Sequence, residues 1–358
     1  MSRLLEEALL QIHPYLDQPI MDPQVWGWVQ GLAHQLPDFS LTGGFECRLS
    51  GAESRVDFCV QLPRTYSGFP AAWATHPAWT LLQTFTQAWA LSSSPFHAAI
   101  SHLWLEFDFE TTVTAVPIPC LFFNFVEIPP QEHYPLILTL LKHLHRPLST
   151  AFQETLKHCV DALPKGGTIR QLGLMLSRPT QMMRIVVHHP QPQSLQTYAT
   201  RLGLGPGVMD LAALQAVWGD YVDGMGMLNL DVGDTIAPKM GLECYALNPE
   251  PHLDRLRDCP PNWERLLDEL VHHSLCSVPK RDALLNWPGC ARSPFASPNP
   301  QSALHLAERF LQPRAVSVLS RSINHLKFVL QPHVPLEVKI YLGFIHAWLP
   351  TRAPSHVT

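Results

Sequence analysis

The 358-residue sequence predicts an α+β fold: a single ten-stranded antiparallel β-barrel, built from five αββα units and surrounded by a ring of helices. Three features support that expectation. Five stretches alternate apolar and polar residues with period two, and each divides into two strands around a turn. Helical periodicity fills the intervals between them. Ten antiparallel strands are many for an open twisted sheet, and closure removes the exposed edges.

The hairpins are expected near 45–62, 102–126, 171–189, 227–247 and 325–346, within one domain spanning 1–358. Each has one apolar face that must be buried against helices. Between them, Trp79, Leu82, Phe85 and Trp89 share one helix face. So do Ile137, Leu140, Leu141 and Leu144, and likewise Leu195, Tyr198, Ala199 and Leu202. Further helical sets are Leu211, Leu214 and Trp218, then Trp263, Leu266, Leu267 and Leu270, then Leu304, Ala307 and Leu311. Two helices near 3–16 and 24–36 precede the first hairpin. A parallel α/β barrel does not fit, because its strands would come singly between helices.

Composition narrows the function. A hydrophobic fraction of 46% against a charged fraction of 15% supplies ample core and argues against disorder. A formal net charge of -5 argues against a broad nucleic-acid or anionic-membrane surface. No apolar run approaches the ~18–20 residues of a membrane span. The N-terminal stretch MSRLLEEALLQI reads as an amphipathic helix and not as a signal peptide, so a cytoplasmic location is expected. The 8 cysteines form no C-x-x-C pair and read as buried small hydrophobes. The 19 histidines show no zinc-ligand spacing. The 34 prolines cluster between the periodic segments, at 129–130, 190–192, 249–251, 260–261 and 294–300, and punctuate the repeat.

Alternation along the strands assigns faces. The polar face carries Arg55, Asp57, Cys59 and Gln61 in one strand and His102, Trp104, Glu106 and Asp108 in another. Lys239, Gly241, Glu243 and Tyr245 share it, as do His325 and Lys327, and Glu337, Lys339 and Tyr341. With the apolar face turned to the helices, this charged face lines the lumen. Unpaired buried charge is too costly for a dry core, so the lumen should be a wet chamber for a polar ligand. Four second strands place a cation near their start or middle: Arg55, Arg184, Lys239 and Lys339. Such a ring suits a diphosphate, which Arg grips bidentately and Lys holds as a point charge. Neither G-x-x-x-x-G-K-S/T nor G-x-G-x-x-G occurs, so the side chains would bind it directly.

With "FECRL" (Glu46), "SRVDF" (Arg55), "MMRIVV" (Arg184), "APKMGLE" (Lys239) and "EVKIYL" (Lys339, Tyr341) on successive hairpins, the chain resembles the ABBA-type (PT-barrel) prenyltransferase superfamily. In layout it is most similar to the cyanobactin peptide prenyltransferases and, more distantly, to the indole prenyltransferases. The second hairpin departs from the pattern, since VPIPCLFFNF carries no cation. The resemblance implies transfer of a dimethylallyl or longer group from its diphosphate to a peptide side chain or an aromatic small molecule. It implies Arg55, Arg184, Lys239 and Lys339 as diphosphate ligands, with Trp104, Tyr245 and Tyr341 shielding the allylic cation or binding substrate. Glu46 would be the catalytic base or acceptor anchor, against the alternative of an ion pair with Arg48 or Arg55. No tightly bound cofactor and no metal site is expected, although Asp57 and Asp231 are candidates to orient the lysines or to hold Mg2+ arriving with the diphosphate. The aspartate-rich DDxxD box is absent. The partners are then a prenyl diphosphate donor and an acceptor, with no nucleic acid and no membrane. Donor chain length should depend on lumen volume near Met175, Gly241 and Gly343.

Two other readings remain open at this point: a non-catalytic peptide- or ligand-binding barrel, and a pentein-type enzyme that modifies guanidines through a nucleophilic cysteine. No cysteine follows Cys290, which disfavours the second.

Overall fold

Proline opens the helices of this chain. α2 (Pro23–Gln35), α3 (Pro77–Ala90), α4 (Pro95–Ala99), α5 (Pro130–His143), α7 (Pro192–Arg201) and α8 (Pro261–His272) each begin with it. The missing N–H of a first-turn proline is one that no helical bond would use. Asp22 and Ser94 cap the helices that follow them, accepting from the N–H groups of Val25 and Phe96. The remaining helices are α1 (Leu4–Ile12), α6 (Thr150–Asp161) and α9 (Val278–Asn286). The proline clusters at 129–130, 190–192 and 260–261 thus mark helix starts.

The structure is a computed structural model, and it describes residues 4–37, 41–51, 54–66, 68–109, 116–204, 214, 219, 222–246, 261–292 and 315–350. The expected helical positions Leu211, Trp218, Leu304, Ala307 and Leu311, and the proline clusters at 249–251 and 294–300, lie outside the described residues. Leu214 is described and buried.

All five hairpins form. They are β1 (Thr42–Arg48) with β2 (Val56–Leu62), β3 (Ile100–Phe107) with β4 (Cys120–Phe125), β5 (Thr168–Leu174) with β6 (Met183–His188), and β7 (Val222–Val232) with β8 (Ile236–Ala246). The fifth pairs β10 (Ala315–Leu330) with β11 (Glu337–Pro350). Every neighbour is antiparallel. β10 joins β8 over Leu326–Leu330, and β11 joins β1 with Glu46 opposite Tyr341. The sheet therefore closes on itself as ten strands. One short further strand, β9 (Gly289–Arg292), adds to the upstream half of β10.

Two features of the fifth unit escape a reading of periods. β9 is four residues, too short to show alternation. β10 starts at Ala315, ahead of the expected 325, because a bulge between Ile323 and His325 resets its faces.

The apolar faces pack as expected. Phe45, Phe58, Leu103, Phe123, Ile185, Leu242, Phe328 and Ile340 are fully buried and belong to one continuous core with the helices. Phe123 meets Phe85 of α3 edge-on at 4.8 Å, and Phe45 meets Trp287, just after α9, at 6.1 Å. Most of the described cysteines are buried, with Cys59 and Cys290 half-buried. Among the described residues no helix is long and apolar enough to cross a membrane.

A second, smaller apolar cluster lies apart from this core. It comprises Cys120, Phe122 and Met175, with Trp104 against them, all from lumen-facing positions of β3, β4 and the end of β5. The lumen is thus charged on part of its wall only.

Lys280 in α9 is 2% exposed and donates to three backbone oxygens, those of Arg48 (3.1 Å), Leu49 (3.4 Å) and Gly51 (2.9 Å). It ties the outer layer to the turn that follows β1. Lys280→Met should leave those carbonyls unanswered and lower stability by roughly 2–3 kcal/mol, read as a lower urea midpoint with unchanged slope.

Candidate active site

The hairpin turns lie at one end of the barrel, and a cavity of about 360 Å³ opens there. Its cations come from separate elements: Arg48 ends β1, Arg178 sits in the β5–β6 turn, and Arg184, Lys239, Lys327 and Lys339 belong to β6, β8, β10 and β11. Interleaved with them are Glu46, Asp57, Asp108 and Asp231.

Most of these charges are paired directly across neighbouring strands. Arg184 stands opposite Asp231 and binds it with two hydrogen bonds, of 2.8 and 3.1 Å. Burial pushes the Asp231 carboxyl up, but the Arg184 guanidinium outweighs it and holds the group below its ordinary range. Arg178 reaches back to β3, donating from Nε to Asp108 at 2.9 Å and from Nη2 to Glu106 at 3.1 Å. Arg48 lies 3.4 Å from Asp57 and 3.4 Å from Glu337. Asp57 is buried and also accepts the Phe109 N–H at 3.1 Å. Burial and the nearby Glu46 charge push its carboxyl up to about 6.

Glu46 is clasped across the β1–β11 seam, with Lys339 on one carboxylate oxygen and the Tyr341 hydroxyl on the other. Burial alone would raise its pKa. The charges of Lys339 and Lys327 and the two hydrogen bonds hold it well below the usual carboxylate range. Its partner is therefore Lys339, not Arg48 or Arg55. Lys327 donates to the Asn229 carbonyl oxygen at 2.8 Å, and Asn229 donates to Glu243 at 2.9 Å. Burial, with Arg184 and Lys339 nearby, brings the Lys327 ammonium down to about 8. Gly241 makes room for it, since a Cβ there would stand 2.4 Å from the Lys327 Cε.

Deeper in the lumen, His325 stacks on Tyr341 with ring centroids 4.0 Å apart, and Tyr245 follows at 5.0 Å. This aromatic wall belongs to β8, β10 and β11. Halfway round the closed strand order, on β3 to β5, stand Trp104, Phe122 and Met175. Gly173 allows that second wall to form: a Cβ on it would lie 2.7 Å from both Phe122 and Met175. At the opposite end of the barrel a second cavity, of about 660 Å³, is lined by Glu127, Thr168, Arg170 and His188 among others. A bulge between Ile169 and Gln171 contains Arg170, whose charge reaches Tyr245.

Of the residues expected from sequence, the cavity brings together Glu46, Arg184, Lys239 and Lys339. Tyr341 and Tyr245 lie on the aromatic wall, and Trp104 on the wall facing it. Arg55 is elsewhere: it precedes β2, is exposed and does not line the cavity. Its carbonyl still accepts from the Arg48 N–H at 3.1 Å, so it continues the pairing of β1 with β2, but at the exposed rim. Arg48, Arg178 and Lys327 are the cations that sequence reasoning passed over.

Asp57 and Asp231 do not fit a resident divalent cation, because Arg48 and Arg184 already engage them. Glu106, Asp108 and Cys120 approach one another closely, but the Arg178 guanidinium fills that place. A cysteine nucleophile is equally ill served. Burial raises the thiol pKa values of Cys47, Cys59, Cys120, Cys159, Cys244 and Cys276, which keeps them protonated.

No protein-family model matches the sequence, and no curated protein matches it. Solved structures do. The prenyltransferase PriB, in its binary complex with product diphosphate, superposes with a TM-score of 0.55 at 16% identity, over 96% of each chain. AnaPT from Neosartorya fischeri gives a TM-score of 0.51 at 12% identity, over 98% of this chain and 94% of its own. At these identities the likeness establishes the fold, and the closed ten-stranded barrel within its ring of helices is the architecture that these proteins share with this chain.

Proposed function

We propose that this protein is a prenyltransferase that moves a dimethylallyl or longer allylic group from its diphosphate to a peptide side chain or an aromatic molecule inside the barrel. The observation that carries this reading is the convergence of Arg48, Arg178, Arg184, Lys239, Lys327 and Lys339 on one cavity that leads to an aromatic-walled lumen. Monoanion binding does not require so many cations, and an aqueous anion site has no need of the aromatic walls. The likeness to PriB, solved with product diphosphate, supports the same reading.

In this mechanism the cation ring binds the diphosphate and stabilises the charge it gains as the C1–O bond breaks and the electron pair leaves with it. The allylic cation is held between Tyr341, Tyr245 and His325 on one side and Trp104 on the other, where water is excluded. The acceptor atom then bonds to C1 and gives up a proton. Glu46 anchors the site, since it fixes Lys339 and Tyr341 together. The acceptor enters by the opposite mouth, past Arg170 and His188. The ring of side-chain cations does the work of a metal, so no step is assigned to Mg2+.

The reading is tested by incubating the protein with dimethylallyl or geranyl diphosphate and with tryptophan, tyrosine, indole and a tyrosine-containing peptide. Prenylated product is expected with at least one. A donor that binds but is neither transferred nor hydrolysed would make the barrel a non-catalytic binder. Arg184→Gln and Lys239→Gln should each weaken donor binding in calorimetry by roughly ten- to a hundredfold. Unchanged affinity in both would remove the ring from the mechanism. EDTA should leave donor affinity as it is, and a large loss would show that a metal is required.

Lys327 gives the binding a pH dependence. It is charged below about 8 and releases its proton as the pH rises through that value. Affinity for inorganic diphosphate should therefore fall above pH 8, by up to about tenfold per unit. Lys327→Met should bind more weakly below pH 8 and lack this slope, so that the two proteins converge as the pH rises.

A further inference from the structure

We propose that Glu106, and not Glu46, accepts the proton that the acceptor loses when the new bond forms; this rests on the prenyl-transfer reading above.

The two carboxylates share the lumen but are bound differently. Both oxygens of Glu46 are engaged, one by Lys339 and one by Tyr341, so Glu46 is an ionised and weakly basic group. Glu106 accepts one hydrogen bond, from Arg178 to Oε1 at 3.1 Å. Among the described residues its Oε2 has no hydrogen-bond donor. Its position is also apt. In β3 it is two residues from Trp104, and across the strands it stands opposite Cys59 and Cys120. It thus lies where the cation ring gives way to the apolar wall of Trp104, Phe122 and Met175.

The groups that face it set its basicity. Carboxylates approach from β1 (Glu46), from β2 (Asp57) and from its own strand (Asp108). Guanidiniums approach from the β5–β6 turn (Arg178) and from β6 (Arg184). The Cys59 and Cys120 thiols and the Tyr341 phenol are kept protonated by burial. Burial first, then the Glu46 and Asp57 charges, push the Glu106 carboxyl up to about 7. A base of that strength exchanges protons readily near neutral pH, and two carboxyls driven apart in this way divide the roles of anchor and base.

The step balances. The C1–O bond breaks and its electron pair leaves with the diphosphate. The acceptor atom bonds to C1, and the electron pair of its own bond to hydrogen returns to the acceptor. The proton passes to Oε2 of Glu106 and from there to solvent after product release.

The test compares Glu106→Gln, Glu106→Asp and Glu46→Gln using dimethylallyl diphosphate and the acceptor panel above. For the unaltered protein, kcat/KM should rise with pH through about 7, because Glu106 must be ionised to accept the proton. Glu106→Gln should lower kcat by a factor on the order of 10²–10⁴, keep donor affinity in calorimetry and lose the acid limb of the profile. Glu106→Asp should recover part of the rate with the limb restored, which a packing defect would not do. Glu46→Gln should keep the limb but move it to lower pH, because the Glu46 charge no longer raises the Glu106 carboxyl. A Glu106→Gln protein that retains rate and limb overturns the assignment, as does a limb lost in Glu46→Gln alone. Should the unaltered protein prenylate nothing in the panel, the prenyl-transfer reading falls first and this assignment with it.

Discussion

The contact on which the molecule depends is the one that closes it. β1 meets β11 with Glu46 opposite Tyr341, and Glu46 binds both Tyr341 and Lys339. A carboxylate inside a closed barrel has little water to solvate it, so it must be answered by the wall. Here the answering groups sit on the strand that completes the circuit. Closure and charge compensation are therefore one event: without the seam Glu46 loses its partners, and without those partners the first strand has a charge facing the last with nothing to balance it. The same pairing recurs around the ring, with Arg184 on Asp231 between β6 and β7.

Period-two alternation made much of this visible in advance. It assigned Lys239, Lys339, Tyr245 and Tyr341 to the lumen because each lies within a regular strand, while Glu46 rested on the family resemblance and Arg184 on the set of second-strand cations. It failed at the rim. Arg55 stands just before β2 with its carbonyl still accepting from the Arg48 N–H, yet its side chain is exposed and does not line the cavity. Arg178 enters the cavity from a turn, so no periodic pattern marks it. Alternation places Lys327 and His325 on the lumen face, but they lie on a first strand, outside the pattern of second-strand cations. Arg48 was visible in the same short motif as Glu46. Its actual partners, Asp57 and Glu337, required the register between strands that sequence alone does not supply.

The second hairpin shows how such a gap is filled. β4 has no cation because its lumen face is part of an apolar wall, with Phe122 accommodated by Gly173 of β5. The carboxylates of β3 still need a counter-charge. Arg178 supplies it from the next hairpin, reaching Asp108 and Glu106 together. A missing residue in one strand is thus offset by a turn residue in another, and the lumen acquires two different walls facing each other.

Pairing also decides where the spare positive charge lies. Arg178, Arg184 and Lys339 each hold a carboxylate, which fixes their geometry but cancels much of their field. Lys327 is bound to the neutral Asn229 amide, and among the described residues Lys239 has no carboxylate within ion-pair distance. Both stand on the β8–β10 side. An incoming polyanion is drawn toward uncompensated charge, while the paired cations wait in place and need little reorganisation. That side of the barrel also carries Tyr245, His325 and Tyr341. On the proposed reading, the diphosphate therefore leaves against Lys239 and Lys327, and the allylic cation is released beside the aromatic stack, with the Trp104 wall and Glu106 across the lumen for the acceptor.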